Sequence, residues 1–193
     1  MATKIFIENS DPSRTVFEGV AFSTSSDVLK TLIVVFPAFR GITKFEESQA
    51  EKLANLVAFC ADIYGKGVRP TTFPDARATM TPFLSKRTVV LKERLFASLD
   101  AAKNFQELMS TRLPLQVTAL EACVFLLDST ATSSTVAAVS FHGTLTPLPE
   151  TPLEHITATI QVHHGDADSH INAQVEGFYK EFRERKADFT FTA

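Results

Sequence analysis

Three of the five histidines and two aspartates lie close together near the carboxyl end, in the stretch HHGDADSH at positions 163–170. It offers imidazoles and carboxylates, which suit proton transfer or a divalent metal ion. Side chains alternate across a strand, so His163 and His164 should point to opposite faces and could not easily serve one ion. We therefore expect no metal site. A structural alternative is that Asp166 and Asp168 only shape a tight turn.

The chain has two cysteines, Cys60 and Cys123, and both lie in apolar stretches. Apolar surroundings raise the pKa of a thiol, and free cysteines are usually buried. Two such residues fit a reducing compartment better than a disulfide framework. We expect two free thiols.

A strand–helix–strand unit is the clearest scaffold for these groups. The β-branched and aromatic run TLIVVFPAF, residues 31–39, predicts a strand buried on both faces. An amphipathic helix is predicted over residues 44–57, and VAFCADIYGKG, starting at Val57, predicts a second strand that ends near Asp62 in a Gly-x-Gly turn. A helical crossover makes the two strands parallel, so the fold class is α/β. The apolar face of the helix should comprise Phe45, Gln49/Ala50, Leu53 and Leu56/Val57.

The remaining elements continue the alternation of helices and strands. A helical region is predicted from Asp75 to Leu108, with an interruption near Pro82. Two further strands are TVAAVSFHG, which ends at His142, and ITATIQVHHGDAD, which runs into the acidic turn. The chain then forms a helix and a β-like tail. The expected apolar residues of the two helices are Val90, Leu91, Leu95, Ala97/Ser98 and Ala101/Ala102 in the first, and Val175, Phe178, Tyr179 and Phe182 in the last.

Composition restricts the class of protein further. The chain has 193 residues, 45% of them hydrophobic and 21% charged, which is typical of one globular domain over residues 1–193. Its net charge is −3 and its basic residues are scattered, so nucleic acid is not expected as a partner. Neither a secretion signal nor an apolar run of membrane-spanning length is visible, so we expect a cytoplasmic protein without membrane contact.

Five blocks in order along most of the chain resemble the dienelactone hydrolase family, a branch of the α/β-hydrolases. They are LIVVFPAFRGITKFEESQAEKLA, AFCADIYGKGVRP, TPFLSKRTVVLKERLFASLDAAK, AAVSFHGTL and IQVHHGDADSHINAQVEGFYKEFRERKADFTFTA. The resemblance implies a doubly wound, mostly parallel sheet with the active site at the carboxyl ends of its strands. It also implies hydrolysis of a small ester or lactone by a nucleophile, an acid and a histidine, without a cofactor or metal.

The family pattern assigns the acid to Asp168, which would orient and stabilise the histidine. The loop FPAFRG matches the family's oxyanion loop, although Ala38 replaces a glutamate common in lactone-processing members, which leaves a generic esterase loop. The family histidine follows the strand that ADFTFTA matches, and this chain stops at Ala193. The resemblance therefore predicts a truncated member with a sheet incomplete at its carboxyl end. His170 is a weak stand-in for the missing histidine.

The nucleophile elbow, which needs glycine on both sides of the nucleophile, is absent as well. Cys123 is the candidate nucleophile, but its neighbours Ala122 and Val124 are apolar, and a buried core cysteine is the alternative. The family spacing points to Ala119 instead. One codon set for residues 116–122 gives Gly-Tyr-Cys-Leu-Gly-Gly when read from its third nucleotide, which suggests that roughly residues 109–135 are translated out of frame; other codons in the gene would refute this hypothesis.

Two functional interpretations follow. In the first, the protein is a carboxylic-ester hydrolase of the dienelactone hydrolase type, weak or inactive as written. In the second, it is a non-catalytic binding or scaffold module on the same fold. The expected partner is a small ester or lactone, and the oligomeric state stays open.

Overall fold

The computed structural model describes residues 3–24, 31–108, 117–118, 137–146 and 155–193. Within them an eight-stranded sheet has the order β1-β2-β4-β3-β5-β6-β7-β8. The strands are β1 (Thr3–Ser10), β2 (Val16–Ser23), β3 (Leu32–Val35), β4 (Val57–Cys60), β5 (Val117–Thr118), β6 (Ala137–Phe141), β7 (Thr159–His163) and β8 (Asp188–Thr192). The helices are α1 (Lys44–Lys52), α2 (Phe73–Ser85), α3 (Lys92–Leu108), α4 (Ser169–Asn172) and α5 (Val175–Glu184), with a π-helical turn at Arg87–Leu91 before α3.

The sheet is mostly parallel, as the sequence predicts. Strands β3 and β4 pair in parallel with Leu32 opposite Val57, and the parallel pairing continues from β3 through β5, β6 and β7 to β8. The carboxyl ends of these six strands therefore meet at one edge. The antiparallel hairpin of β1 and β2, which the sequence analysis does not predict, extends the sheet beyond β4.

Helices cover both faces of the sheet. Alternate residues of the same strands pack into two apolar clusters, one on each face. Val34 and Phe59 belong to the larger cluster with α3 and α5, whereas Val35 and Cys60 belong to a smaller one with α1. A run of consecutive buried residues is what a strand covered on both sides requires. This arrangement confirms the doubly wound architecture.

Helix α1 is shorter than predicted, and a different side of the helix faces the sheet. Thr43 and Glu46 form a capping box that starts it, and the buried residues are Glu46 and Ala50. Phe45, placed on the apolar face by its spacing, is 67% exposed, so that assignment was wrong. Glu46 faces inward because its carboxylate accepts hydrogen bonds from the backbone N–H and hydroxyl of Thr43, and this contact fixes the rotation of the first turn.

The second helical region breaks after Ser85, close to the interruption predicted near Pro82. Helix α2 contains Pro82 and continues to Ser85, and the π-helical turn then leads into α3. The hydroxyls of Thr79 and Thr81 donate to carbonyls one turn earlier in this helix. The predicted apolar face is confirmed for Leu91 at the end of the π-helical turn and for Leu95, Ser98, Ala101 and Ala102 of α3, all of which are buried. Val90, in the π-helical turn, is only half-buried.

The end of the chain packs as an aromatic group. Phe178 and Phe182 of α5 are almost fully buried, and their ring centroids are 4.1 Å apart. Both rings contact Phe189 of β8 edge to face. Edge-to-face pairs add to the hydrophobic gain from burial, so this contact holds β8 against the sheet. The predicted apolar face of α5 is thus confirmed.

Across the described ranges, no helix is both long and apolar enough to cross a membrane.

Candidate functional site

Two histidines follow neighbouring parallel strands at the carboxyl edge of the sheet. Phe141 of β6 lies opposite His163 of β7, so His142 and His164 are the first residues beyond the paired ends. The N–H of His142 donates to the carbonyl of His163 at 2.7 Å. His142 has a φ of 55°, in the left-handed region that turns the chain sharply out of the sheet. The two imidazoles stack, with centroids 6.1 Å apart and planes 12° apart.

Asp168 ends a tight turn at the same edge and caps the short helix α4. Its N–H donates to the carbonyl of Gly165 at 2.9 Å, and its Oδ1 accepts from the N–H of His170 at 2.9 Å. The hydrogen bond from the His170 backbone is the main cause that lowers the pKa of Asp168, with smaller contributions from the Ile171 backbone and the charge of His142. The carboxyl group is therefore held in its ionised form.

The second carboxylate oxygen of Asp168 contacts an imidazole. Its Oδ2 lies 3.0 Å from Nε2 of His142, whose side chain is 60% exposed. The turn interpretation of Asp168 is therefore confirmed, and its second oxygen contacts an imidazole. Its role as the catalytic acid stays a prediction. An imidazole oriented by a carboxylate is the arrangement that general-base catalysis uses.

From the sequence, His142 was set aside as the end of a strand and His170 was named as a weak stand-in. In the structure His170 contacts Asp168 through its backbone N–H, and the imidazole in contact is that of His142. One signal was available: two residues directly beyond the ends of consecutive parallel strands should lie close together when the strands are neighbours.

His164 packs against the imidazole of His142 in the Asp168–His142 pair. It is 9% exposed, and its Nε2 lies 2.7 Å from Oδ1 of Asn172. Asn172 uses its amide to donate to the carbonyl of Asp166, so its oxygen is the acceptor and the proton of neutral His164 is on Nε2. The ring under His142 is thereby fixed in position and tautomer.

His163 lies on the opposite side from this group. It is exposed and stacks on Phe141, with centroids 5.0 Å apart, whereas His164 is buried against His142. The alternation expected from the strand is therefore present. Within the described part of the chain, no three His, Cys, Asp or Glu side chains are grouped as ligands of one metal ion.

The loop after β3 lies at the same edge of the sheet. Gly41 has a φ of 71° and donates its N–H to the carbonyl of Ala38 at 2.9 Å. Tyr64 donates its hydroxyl to the carbonyl of Phe39 at 2.8 Å, and burial raises the pKa of Tyr64 to about 12, so the phenol keeps its proton. The loop predicted to bind an oxyanion is thus held by a defined turn.

Of the two cysteines, the structure describes Cys60. Cys60 is a fully buried free thiol at the α1 side of the sheet, and its pKa is raised to about 12, mainly by burial. It confirms the expectation of a core thiol. Cys123 and Ala119 lie outside the described residues. Strand β5 ends at Thr118 between β3 and β6, so the sequence continues from the centre of the sheet into the segment with both candidates.

The doubly wound, mostly parallel sheet is a hydrolase-like fold of the α/β-hydrolase superfamily. The family model of the dienelactone hydrolases matches residues 17–193, and the chain belongs to the dienelactone hydrolase family.

One curated relative and several solved structures are similar to this chain. An uncharacterized protein of Caenorhabditis elegans is 37% identical over 115 residues, which cover 55% of this chain and 70% of the relative. The structure of a dienelactone hydrolase-like promiscuous phosphotriesterase from metagenomic libraries superposes with a TM-score of 0.85 at 22% identity, covering 99% of this chain and 80% of the other. An esterase of Pyrobaculum calidifontis gives a TM-score of 0.68 at 10% identity, covering 98% and 75% of the two chains. At these identities the two structures demonstrate the shared fold.

Proposed function

We propose that this protein hydrolyses small carboxylic esters, with Asp168 orienting His142 as the base. The observation that carries the proposal is the 3.0 Å contact between Oδ2 of Asp168 and Nε2 of His142 at the edge where open α/β sheets bind their ligands. The loop of residues 36–41 at the same edge would supply backbone N–H groups to a developing oxyanion.

The free nitrogen of His142 determines how the pair would act. Nε2 contacts Asp168, so Nδ1 is left to exchange a proton, and it lies beside Gly165. A Cβ at position 165 would come 3.0 Å from Nδ1, so the absence of a side chain there leaves the nitrogen uncovered. In this proposal glycine is required at position 165 for access to the base.

The proposed reaction is acyl transfer. The nucleophile candidate is Cys123: its sulfur attacks the ester carbonyl carbon while His142 takes the thiol proton, and the leaving alkoxide then receives that proton. Water next attacks the thioester, which releases the carboxylic acid and restores the thiol. Asp168 stays ionised and stabilises the imidazolium in both halves of the cycle.

A second candidate function is a non-catalytic binding module on the same fold. The observation that favours it is the state of Cys60, the cysteine among the described residues. Its thiol is buried, holds its proton at neutral pH and faces α1, so it offers no nucleophile to His142.

Hydrolysis of p-nitrophenyl acetate separates the two functions. If the protein is an esterase, a burst of p-nitrophenolate precedes steady turnover, and Asp168→Ala and His142→Ala each lower kcat/KM by at least about 100-fold, as expected for loss of general-base catalysis. The matched control is His163→Ala, because His163 is also an exposed histidine beside this edge but is stacked on Phe141.

The outcomes are distinct. Turnover that survives His142→Ala but not Asp168→Ala would assign the base to another histidine. No burst from the folded wild-type chain would reject the esterase proposal and favour the binding module.

A further inference from the structure

Strand β1 forms one border of the sheet and carries apolar side chains in solvent. It pairs with β2 on one side, and within the described residues no strand pairs with its other side. Phe6 is 58% exposed and Ile5 is 36% exposed. A border strand of eight residues with exposed apolar side chains is a template for pairing with another strand.

The sequence of β1 is complementary to itself in one antiparallel register. If Phe6 lies opposite Phe6 of a second copy, Lys4 lies opposite Glu8 and Ile5 lies opposite Ile7. Aromatic pairs and opposite charges directly across from each other are the cross-strand contacts that stabilise a sheet. Shifting the two-fold centre to Ile5 or Ile7 breaks both the aromatic pair and the two charge pairs.

The charged residues of β1, Lys4 and Glu8, form only exposed ion pairs within the chain. Lys4 forms an ion pair with Glu47 of α1 at 2.8 Å, and Glu8 pairs with Lys66. All four side chains are at least 30% exposed, and exposed ion pairs contribute at most about 1 kcal/mol. They therefore leave Lys4 and Glu8 able to pair with a second strand.

The covering helix leaves room for this pairing. Helix α3 meets β1 near its end, where the amide of Asn9 donates to the carbonyl of Ala97 at 2.9 Å. The residues from Thr3 to Phe6 are all exposed. In the two-fold register Asn9 lies opposite Thr3 of the second copy. The two Asn9 residues, where the two α3 helices contact the strands, are therefore about 20 Å apart along the strand direction.

We propose that two copies of this chain associate through β1, in antiparallel register about Phe6, to form one continuous sheet. A single pair of strands buries less surface than the roughly 1,600 Å² of a standard stable interface. The dimer is therefore expected to be weak and concentration dependent. The proposal is independent of ester hydrolysis, since β1 lies at the opposite border of the sheet from β7 and β8.

Charge reversal tests the register. Sedimentation velocity on the full chain, from about 5 to about 500 µM, should show a monomer–dimer equilibrium. Lys4→Glu places two acids across from each other and Glu8→Lys places two bases, so each variant alone should raise the dissociation constant at least about tenfold. An equimolar mixture of the two variants restores both opposite-charge pairs and should dimerise, which loss of folding cannot produce. The control is Glu47→Gln, which removes the partner of Lys4 within the chain and should leave dimerisation unchanged.

Cross-linking tests the centre of the register. Phe6→Cys should give a disulfide-linked dimer on mild oxidation, because directly opposite residues have Cα atoms about 4.5–5.5 Å apart. Glu51→Cys, exposed on α1, serves as the control for random collision. A chain that stays monomeric to about 500 µM, or a dimer that neither single charge reversal weakens, would overturn the proposal.

Discussion

At the scale of single residues, the two carboxylate oxygens of Asp168 make different contacts in the site. Oδ1 of Asp168 caps α4 and Oδ2 contacts His142, so the side chain both builds the turn and orients the imidazole. Gly165 leaves the other nitrogen of His142 open. Substitutions at these positions should therefore affect structure and chemistry to different extents.

Gly165→Ala should separate access to His142 from folding. The added methyl group would lie 3.0 Å from Nδ1 and 3.1 Å from Cε1 of His142, so the ring must move or be covered. If His142 is the base, kcat/KM for p-nitrophenyl acetate should fall about tenfold or more, because small misplacements of a catalytic group are costly. Asp166→Ala, at an exposed position one residue along, should retain activity; equal activity in both variants would contradict a role for Nδ1.

Asp168 should also make stability depend on pH. Its pKa is lowered from the ordinary value of 3.8 in the folded chain, so its contribution is fully present above that value and is lost as pH falls through the lower folded value. Urea unfolding of the wild type and of Asp168→Asn should show the wild type more stable at about pH 7, with the difference shrinking towards about pH 2.5. A difference that grows at low pH would contradict the lowered pKa.

At the scale of elements, the carboxyl-terminal helix and strand act as one packed unit. Phe182 of α5 is 1% exposed and contacts Phe178 and Phe189. Glu181 and Arg185, which follow one turn apart, are both buried and paired at 2.9 Å. The unit holds β8 beside β7, and β7 leads directly into the turn of Asp168.

Phe182→Ala should therefore lower the free energy of unfolding by about 3–5 kcal/mol, the usual effect of removing a buried phenylalanine. Lys180→Ala, on the exposed side of the same helix, should change it by less than about 0.5 kcal/mol. Equilibrium denaturation by urea measures both. An effect of Phe182→Ala as small as that of Lys180→Ala would show that α5 does not pack as described.

At the scale of the whole molecule, a largely buried cation, Arg94, connects the amino-terminal hairpin to the end of β4. Arg94 of α3 donates to the carbonyls of Ile63 and Tyr64 at 3.0 Å each, and its Nε lies 3.7 Å from the carboxylate of Asp11. Its guanidinium also lies 4.5 Å from the centre of the Phe83 ring. Burial is the main cause that lowers the pKa of Arg94.

Arg94→Ala should destabilise the protein by about 3–5 kcal/mol, because it leaves the carboxylate of Asp11 buried without its charge partner. Arg77→Ala, an exposed arginine on α2, is the matched control and should have little effect. Hydrogen exchange followed by mass spectrometry should show faster exchange in β1 and β2 than in β7. Uniform exchange changes across the sheet would contradict a local role of Arg94 in holding the hairpin.

The sequence by itself determined the parallel part of the fold and the apolar faces of α3 and α5. Runs such as Leu32–Val35 and Val57–Cys60 are apolar at every position, which is possible only for strands covered on both sides. It did not predict the direction of Phe45, because the capping contact between Thr43 and Glu46 outweighed spacing there. It also gave no sign of β1, an exposed strand whose apolar residues do not follow one buried face.

Within the site, the sequence predicted the turn around Asp168, since a turn depends on residues near each other in the chain. The assignment of Asp168 as the acid came from the family resemblance and stays a prediction. Only the tertiary structure decided that His142 contacts Asp168. Their contact requires β6 and β7 to be neighbours in register, so that the residues beyond both ends meet. Local patterns determine elements, but strand order is decided by the packing of the whole sheet, and the partner of Asp168 follows from that order.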